Sequence, residues 1–376
     1  MIKKRDMFDD KKILITGSTG SLDQALTHRL LQKNVKTIRI LSRNENKQIE
    51  MELKFNDDRL RFFLGDIRDK ERLVRATEDI DYVFHAAALK HVPKIEYNPF
   101  EAIKTNVMGP QNVIDACLQA NVKKVICIGT DKAVSPLNTY GATKLLMEKL
   151  FVTANNYLNP QKHATKFIAV RYGNVLGSSG SVIPKFIEQI KNKKKITITD
   201  RQMTRFSITM DEALDFILKA TEYGQGSEIF VPKIRAYTIS DIKEALSEIF
   251  GDYGEEIVGI RPGEKMHETL INNDEIRYSW EYKDLYMITN PLYPMFHPNI
   301  INDTYQGIKK LDKFERYSSD LVEKIPKDEL KQILRVRSNY PKIKLINFSK
   351  IHMEFSISNQ GIASQHLVNL INSILS

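Results

Sequence analysis

The sequence predicts an α/β fold: a doubly wound parallel sheet followed by a smaller C-terminal α/β domain. Three observations predict it. Short β-branched runs alternate with stretches of helical period through the first half of the chain, the signature of strands and crossover helices. A glycine-rich turn, TGSTGSLD over 16–23, directly follows the first such run. Beyond Asn174 the alternation loosens into turn-rich and mixed segments.

The elements follow in order. KILIT (12–16) is a strand, and Leu22, Ala25, Leu26, Leu30 and Leu31 mark one helix face. TIRILSR (37–43) is the second strand, followed by the helical patch KQIEMELKF. RLRFFLGD, the helix DKERLVRAT and the strand DYVFHAAA come next. EAIKTNVMGPQNVIDACLQA has helical period, KKVICIGTD is a strand, TYGATKLLMEKLFVTANNY a helix and TKFIAVRYGNV a strand. In the second half, KITITDRQMTRFSIT reads as strand and loop and DEALDFILKATEYG as a helix, and EIFVPKI, SDIKEALSEIFG and EIVGIRPGEK continue a mixed pattern. These boundaries give a nucleotide-binding domain over 7–174, to which 208–232 returns. A mainly substrate-binding domain covers 175–334, and an extension covers 335–376. The extension could form strands over NYPKIKLINFSKIHMEFSIS, and HLVNLINSIL has amphipathic helical period; the expectation is a role in assembly or partner binding.

An apolar fraction of 42% supports a sizeable core, and the net charge of +9 suggests acidic partners. The basic run Lys191, Lys193, Lys194 and Lys195 is short and reads as a solvated loop, against nucleic-acid binding. Cys117 and Cys127 lie in apolar runs without metal-ligand spacing, so they read as core residues of a reducing compartment, with no metal site. No apolar run is long enough for a signal peptide or a bilayer span, which predicts a cytoplasmic protein without membrane insertion.

The chemistry starts at the glycine turn. Gly17 and Gly20 let the backbone approach closely, and Thr19, Ser21 and Leu22 lead into a helix whose N-terminal N–H groups suit a pyrophosphate, as in a Rossmann dinucleotide fold. At the end of the second strand NAD would call for an acidic residue, but this chain has Ser42, Arg43 and Lys47, which suit the 2′-phosphate of NADP. Asp66 and Ile67 fit the adenine edge, and Ala86 leaves room for the cofactor to pass. Tyr140 and Lys144 form a YxxxK pair on one helix face, where a lysine cation favours the phenolate and makes the tyrosine a base. Thr130 is the expected hydroxyl partner of Tyr140. Asp131 and Lys132 follow it directly, at the strand edge where ligands bind, and add an acid and a base. A sugar epimerase needs only the tyrosine base and a hydride acceptor; an additional pair implies removal of a carbon-bound proton and loss of a protonated hydroxyl, a dehydration.

At these residues the sequence resembles the extended short-chain dehydrogenase/reductases, and closely the soluble inverting UDP-N-acetylglucosamine 4,6-dehydratases of pseudaminic acid synthesis. The resemblance covers about 7–334 and rests on strings such as AAALKHVPKIEYNPFEAIKTNVMG, TDKAVSPLNTYGATKL, RYGNVLGSSGSVIPKF and GIRPGEKMHE. Related membrane-anchored and capsule-sugar groups carry Met where this chain has Tyr140. The resemblance implies that Tyr140, activated by Lys144, takes the C4 hydroxyl proton while NADP⁺ accepts hydride. It implies that Lys132 removes the C5 proton and that Asp131 protonates the departing C6 hydroxyl. Hydride returns to C6, and reprotonation of C5 from the opposite face gives UDP-2-acetamido-2,6-dideoxy-β-L-arabino-hexos-4-ulose for glycan synthesis. It further implies that Lys90 serves both cofactor and sugar, that Val175, Leu176, Gly177, Ser178 and Ser179 line the nicotinamide, and that Gly129, Thr130, Asn174, Val182, Arg205, Arg261 and Glu264 contact a UDP-sugar in a homo-oligomer.

The chain departs from that pattern at Gly129, Ser179 and Ser207, where relatives usually have Ser, Arg and Trp. Asp23 stands where the third glycine would be, and a charged carboxylate there is expected to weaken NADP binding. Two other readings are a UDP-sugar C4 or C5 epimerase and a non-catalytic NADP-binding sensor or scaffold. The full set Thr130, Asp131, Lys132, Tyr140 and Lys144 counts against the sensor, which has no use for it.

Overall fold

The structure, a computed structural model, describes residues 6–17, 20–159, 161–178, 181–292, 303–313 and 315–338. Its contacts divide the chain into Met1–Gln332 and Ile333–Ser376; the sheets and the site lie wholly in the first unit. The strands and helix expected over 339–376 lie outside the described residues, as do Thr19 and Ser179.

Six strands form the nucleotide-binding half: β1 Lys12–Thr16, β2 Thr37–Ser42, β3 Leu60–Leu64, β4 Tyr82–His85, β5 Lys124–Ile128 and β6 Lys166–Val170. They pair in parallel in the order β3-β2-β1-β4-β5-β6. The order reverses between β1 and β4, which places the ligand crevice beyond their C-terminal ends. Helices cover both faces, so the inner strands are buried almost throughout. Leu14, Val83, Val125 and Phe167 feed one apolar cluster, and Ile13, Ile15, Phe84, Ile126 and Ile168 the other. This is the expected doubly wound sheet.

The sheet extends further than the alternating pattern of the first half. A strand Glu228–Pro232 pairs parallel to β6, and the antiparallel strands Ser279–Tyr282 and Leu285–Thr289 follow it outward. Lys309–Lys310 adds an edge strand beside Ser279–Tyr282, and the other second-half strands form small sheets, among them Asn174–Val175 beside Thr204–Ile208, which pairs with Ala236–Thr238. The continuous helix expected over 101–120 is broken into Pro99–Ile103, a π-helical turn Lys104–Met108 and Gly109–Gln119. Pro110 lacks an N–H, so regular helical bonding cannot pass through it. The wide turn has a local use. Asn106 within it donates to the Leu89 carbonyl and accepts from the Leu89 N–H (2.9 and 2.8 Å), fixing the loop after β4.

Cys117 and Cys127 are buried and free, and burial pushes the Cys127 thiol up to about 12. The run Lys191 to Lys195 is an exposed helix end and turn. Among the described residues no helix is long and apolar enough to cross a membrane, and no His/Cys/Asp/Glu group could hold a metal.

Candidate active site

A cavity of about 850 Å³ opens at the C-terminal edge of the parallel strands. At one end Gly17, with φ +83°, bends the chain after β1; a Cβ there would sit 2.6 Å from the Ala87 Cα. Only glycine lets the first turn come so close to the end of β4. Gly20 then leads into the helix Ser21–Leu31, whose first N–H groups have no intrahelical partner. Gly17, Gly20, Ser21 and Leu22 all line this end of the cavity. A tight glycine turn, a helix N-terminus and a long cleft fit a dinucleotide.

Ser42, the last residue of β2, and Arg43 after it also line the cavity, with Asp66, Ile67 and Ala86. Gln48 donates to the Ser42 carbonyl and hydroxyl (3.0 and 3.1 Å), holding this corner in shape. Arg43 is half exposed and touches Asp66 only at 3.4 Å. Burial works against the Asp66 charge, but Arg68 and Arg43 outweigh it and hold the carboxyl below its ordinary range. Lys47 does not line the cavity; it sits in the first turn of the next helix, where its N–H is capped by Asn44.

The proton-transfer candidates meet at the middle of the cleft. Thr130, Lys132, Tyr140 and Lys144 line it, and Asp131 is buried at its wall. Asp131 Oδ1 accepts from Thr130 Oγ1 (2.8 Å) and Lys132 Nζ (3.0 Å), and Lys132 Nζ also donates to Asn174 Oδ1 (3.1 Å). Burial opposes the Lys132 charge, but the carboxylates of Asp131 and Glu268 outweigh it and hold the ammonium well above its ordinary range. Tyr140 lies at the start of the helix Thr139–Ala154, capped by Asn138 Oδ1 on the Gly141 N–H (2.8 Å). Burial pushes its phenol up to about 12, while the Lys132 charge and a hydrogen bond with Thr130 pull it down.

Lys144 lies one turn beyond Tyr140 on the same helix and lines the cavity. Its ammonium donates to the Ile128 carbonyl at 2.8 Å, and burial lowers it. The Lys132 charge is the largest pull on the phenol against its burial.

Lys90, Asn174, Val175, Ser178, Val182, Arg205, Arg261 and Glu264 also line the cavity. Arg261 and Glu264 face each other across one turn at 3.7 Å. Leu176 and Gly177 belong to the turn after Asn174–Val175 and do not line the cavity. Gly129 does line it, and a Cβ there would press on the Val170 carbonyl at 2.5 Å. That contact leaves little room for a side chain on this backbone.

Sequence reasoning missed Glu268. It is 3% exposed, lines the cavity, and sits 3.7 Å from both Lys132 Nζ and Arg205 Nε. Its signal was its place in GIRPGEKMHE, four residues beyond Glu264.

Residues 13–290 match the family model described as polysaccharide biosynthesis protein. The chain belongs to this family. Within this polysaccharide biosynthesis family, it is 46% identical over 322 residues to a Campylobacter jejuni protein named UDP-N-acetylglucosamine 4,6-dehydratase (inverting), covering 84% of this chain and 94% of that one. It is 41% identical over 335 residues to a Rickettsia massiliae protein named UDP-glucose 4-epimerase, covering 87% and 96%. The solved structure of Pen from Bacillus thuringiensis superposes with a TM-score of 0.80 at 38% identity, covering 88% of this chain and 99% of that one. The resemblance to inverting 4,6-dehydratases read from the sequence therefore holds across most of the chain.

Proposed function

We propose that this protein is an NADP-dependent UDP-N-acetylglucosamine 4,6-dehydratase that inverts C5, with 7–174 and 208–232 binding cofactor and 175–334 mainly binding substrate. The observation that carries the reading is the Asp131–Lys132 pair, hydrogen-bonded at 3.0 Å in the same cleft as Thr130 and Tyr140. The 46% identity to an inverting dehydratase supports it.

A bound NADP would supply the hydride chemistry linking C4 and C6; the protons of oxidation and elimination are handled by the chain. Tyr140 receives the C4 hydroxyl proton, and the resulting ketone makes the C5 proton acidic. Elimination then needs a neutral amine at Lys132 and a protonated carboxyl at Asp131, the reverse of the resting ion pair. One proton moved from Nζ to Oδ1 along their hydrogen bond provides both. Lys132 takes the C5 proton, Asp131 gives its proton to the C6 hydroxyl, and water leaves.

Incubation with UDP-N-acetylglucosamine in D₂O, followed by NMR, tests this. A 4-keto-6-deoxy product with deuterium at C5 is expected. A 4-epimer would establish the second reading, epimerisation, which the Rickettsia relative's name favours. Unchanged substrate would establish a non-catalytic cofactor binder.

NADP rather than NAD rests on Ser42 and Arg43. Arg43→Ala is expected to cost about 1.5–3 kcal/mol of NADP binding, more than about tenfold, with NAD affinity nearly unchanged. Calorimetry with both cofactors measures it; equal weakening of both would show that Arg43 does not read the 2′-phosphate. The reading also takes the protein as a cytoplasmic homo-oligomer. The exposed apolar side chains Tyr97, Phe100 and Leu146, on helices that contact one another, support assembly.

A further inference from the structure

The carboxyl of Asp23 lies inside the dinucleotide cradle rather than on its rim. Asp23 occupies the first turn of the helix Ser21–Leu31 and is 6% exposed. Its Oδ2 sits over the glycine loop, 2.9 Å from where a Gly20 Cβ would be. Its Oδ1 is buried and has no hydrogen-bond partner among the described residues, and the residue lines the cleft. The groups that face it electrostatically are Lys90 on the loop after β4, Lys144 on the helix Thr139–Ala154, and the Tyr172 phenol beyond β6. A buried polar atom without a partner is costly unless a ligand completes it.

We propose that Asp23 is a proton-dependent ligand of the cofactor: its carboxyl takes up a proton as the dinucleotide binds and donates it as a hydrogen bond to a phosphate oxygen. The inference rests on the cofactor reading above and revises the expected effect of Asp23 from simple repulsion to linkage with protons. Burial raises this carboxyl to about 7, against the Gly20 N–H, Lys90 and Lys144, which favour the anion. The free site is therefore divided between acid and anion near neutral pH. A pyrophosphate placed at the same helix N-terminus adds negative charge beside it and disfavours the anion further. The sign follows. Well below pH 7 the proton is already present and binding is independent of pH. Above it, binding must bring a proton in, and affinity falls by up to about tenfold per pH unit.

Calorimetric titration of the full chain with NADP⁺, in buffers of different ionisation enthalpy, reads proton uptake directly and without turnover. The expected result is uptake approaching one proton at about pH 8.5 and close to none at about pH 5.5. Asp23→Asn keeps a donor at the position, and should abolish that uptake and flatten the pH dependence. Uptake that is absent in the wild type, or that persists in Asp23→Asn, would overturn the proposal. Should the variant not fold, the wild-type uptake alone decides. If NADP⁺ and NAD⁺ fail to bind at any pH, the cofactor reading itself is wrong, and this inference falls with it.

Discussion

Lys132→Met is expected to stop elimination while leaving the fold intact, with product formation lower by about 10²–10⁴. Among the described residues, Lys132 supplies the one amine that contacts Asp131. Methionine keeps much of the side-chain volume but can neither take the C5 proton nor pass one to Asp131. Asp131 would retain its bond from Thr130, and Glu268 would retain Arg205 at 3.7 Å, so neither carboxylate is stranded. A second effect separates this role from a structural one. The Lys132 charge is what most pulls the Tyr140 phenol down against burial, so its loss should raise that phenol further and slow C4 oxidation near neutral pH. Oxidation should recover as the pH rises, with elimination still blocked. Single-turnover absorbance of the reduced nicotinamide would show it accumulating without dehydrated product. Product formation within tenfold of wild type would remove Lys132 from the mechanism.

The parts of this molecule that depend on periodicity were open to the sequence, and those that depend on side-chain burial were not. Parallel strands covered on both faces must be apolar along their length, so KILIT, YVFH and KVICI announce themselves. The glycine loop could be read because Gly17 is forced by backbone contact. The hairpin SWEYKDLYMIT, which adds two strands to the sheet, has no crossover helix to mark it. The π-helical turn hides within an ordinary helical period, because a single widened turn shifts the pattern by only one residue. Asp23 was visible as an odd residue, but its burial was not, and the charges it faces, Lys90 and Lys144, are distant in sequence. Glu268 becomes a neighbour of Lys132 only when the second half folds back onto β5.

Arg171 shows the same limit most sharply, and it carries the largest expected effect on stability. The residue follows β6 and is fully buried. Its guanidinium donates twice to Glu148, twice to Glu275 and once to the Leu270 carbonyl. That uses all five N–H groups. Glu148 lies on the helix that carries Tyr140 and Lys144, and Glu275 on the short helix Asn273–Ile276. The cluster therefore fastens the Tyr140 helix to the second half of the chain. Burial alone would raise Glu275, but Arg171 outweighs it and holds that carboxyl below its ordinary range. Arg171→Met leaves the buried Glu148 carboxylate and the largely buried Glu275 side by side, and removing one partner of a buried ion pair costs about 3–5 kcal/mol. The pH dependence follows from the same charges. In the wild type the depressed Glu275 contributes stability that is present above its unfolded pKa and is lost as pH falls through its folded value. In the variant Glu275 loses the cation that depresses it, burial is left to raise it, and acid then stabilises the folded state. The gap between the two proteins should therefore be largest at neutral pH and shrink toward pH 5. Adding Glu148→Gln to Arg171→Met should recover part of the loss by removing one stranded charge. Urea unfolding at both pH values measures each effect. A loss below about 1 kcal/mol, or one that does not change with pH, would mean that the cluster is not what holds the Tyr140 helix in place.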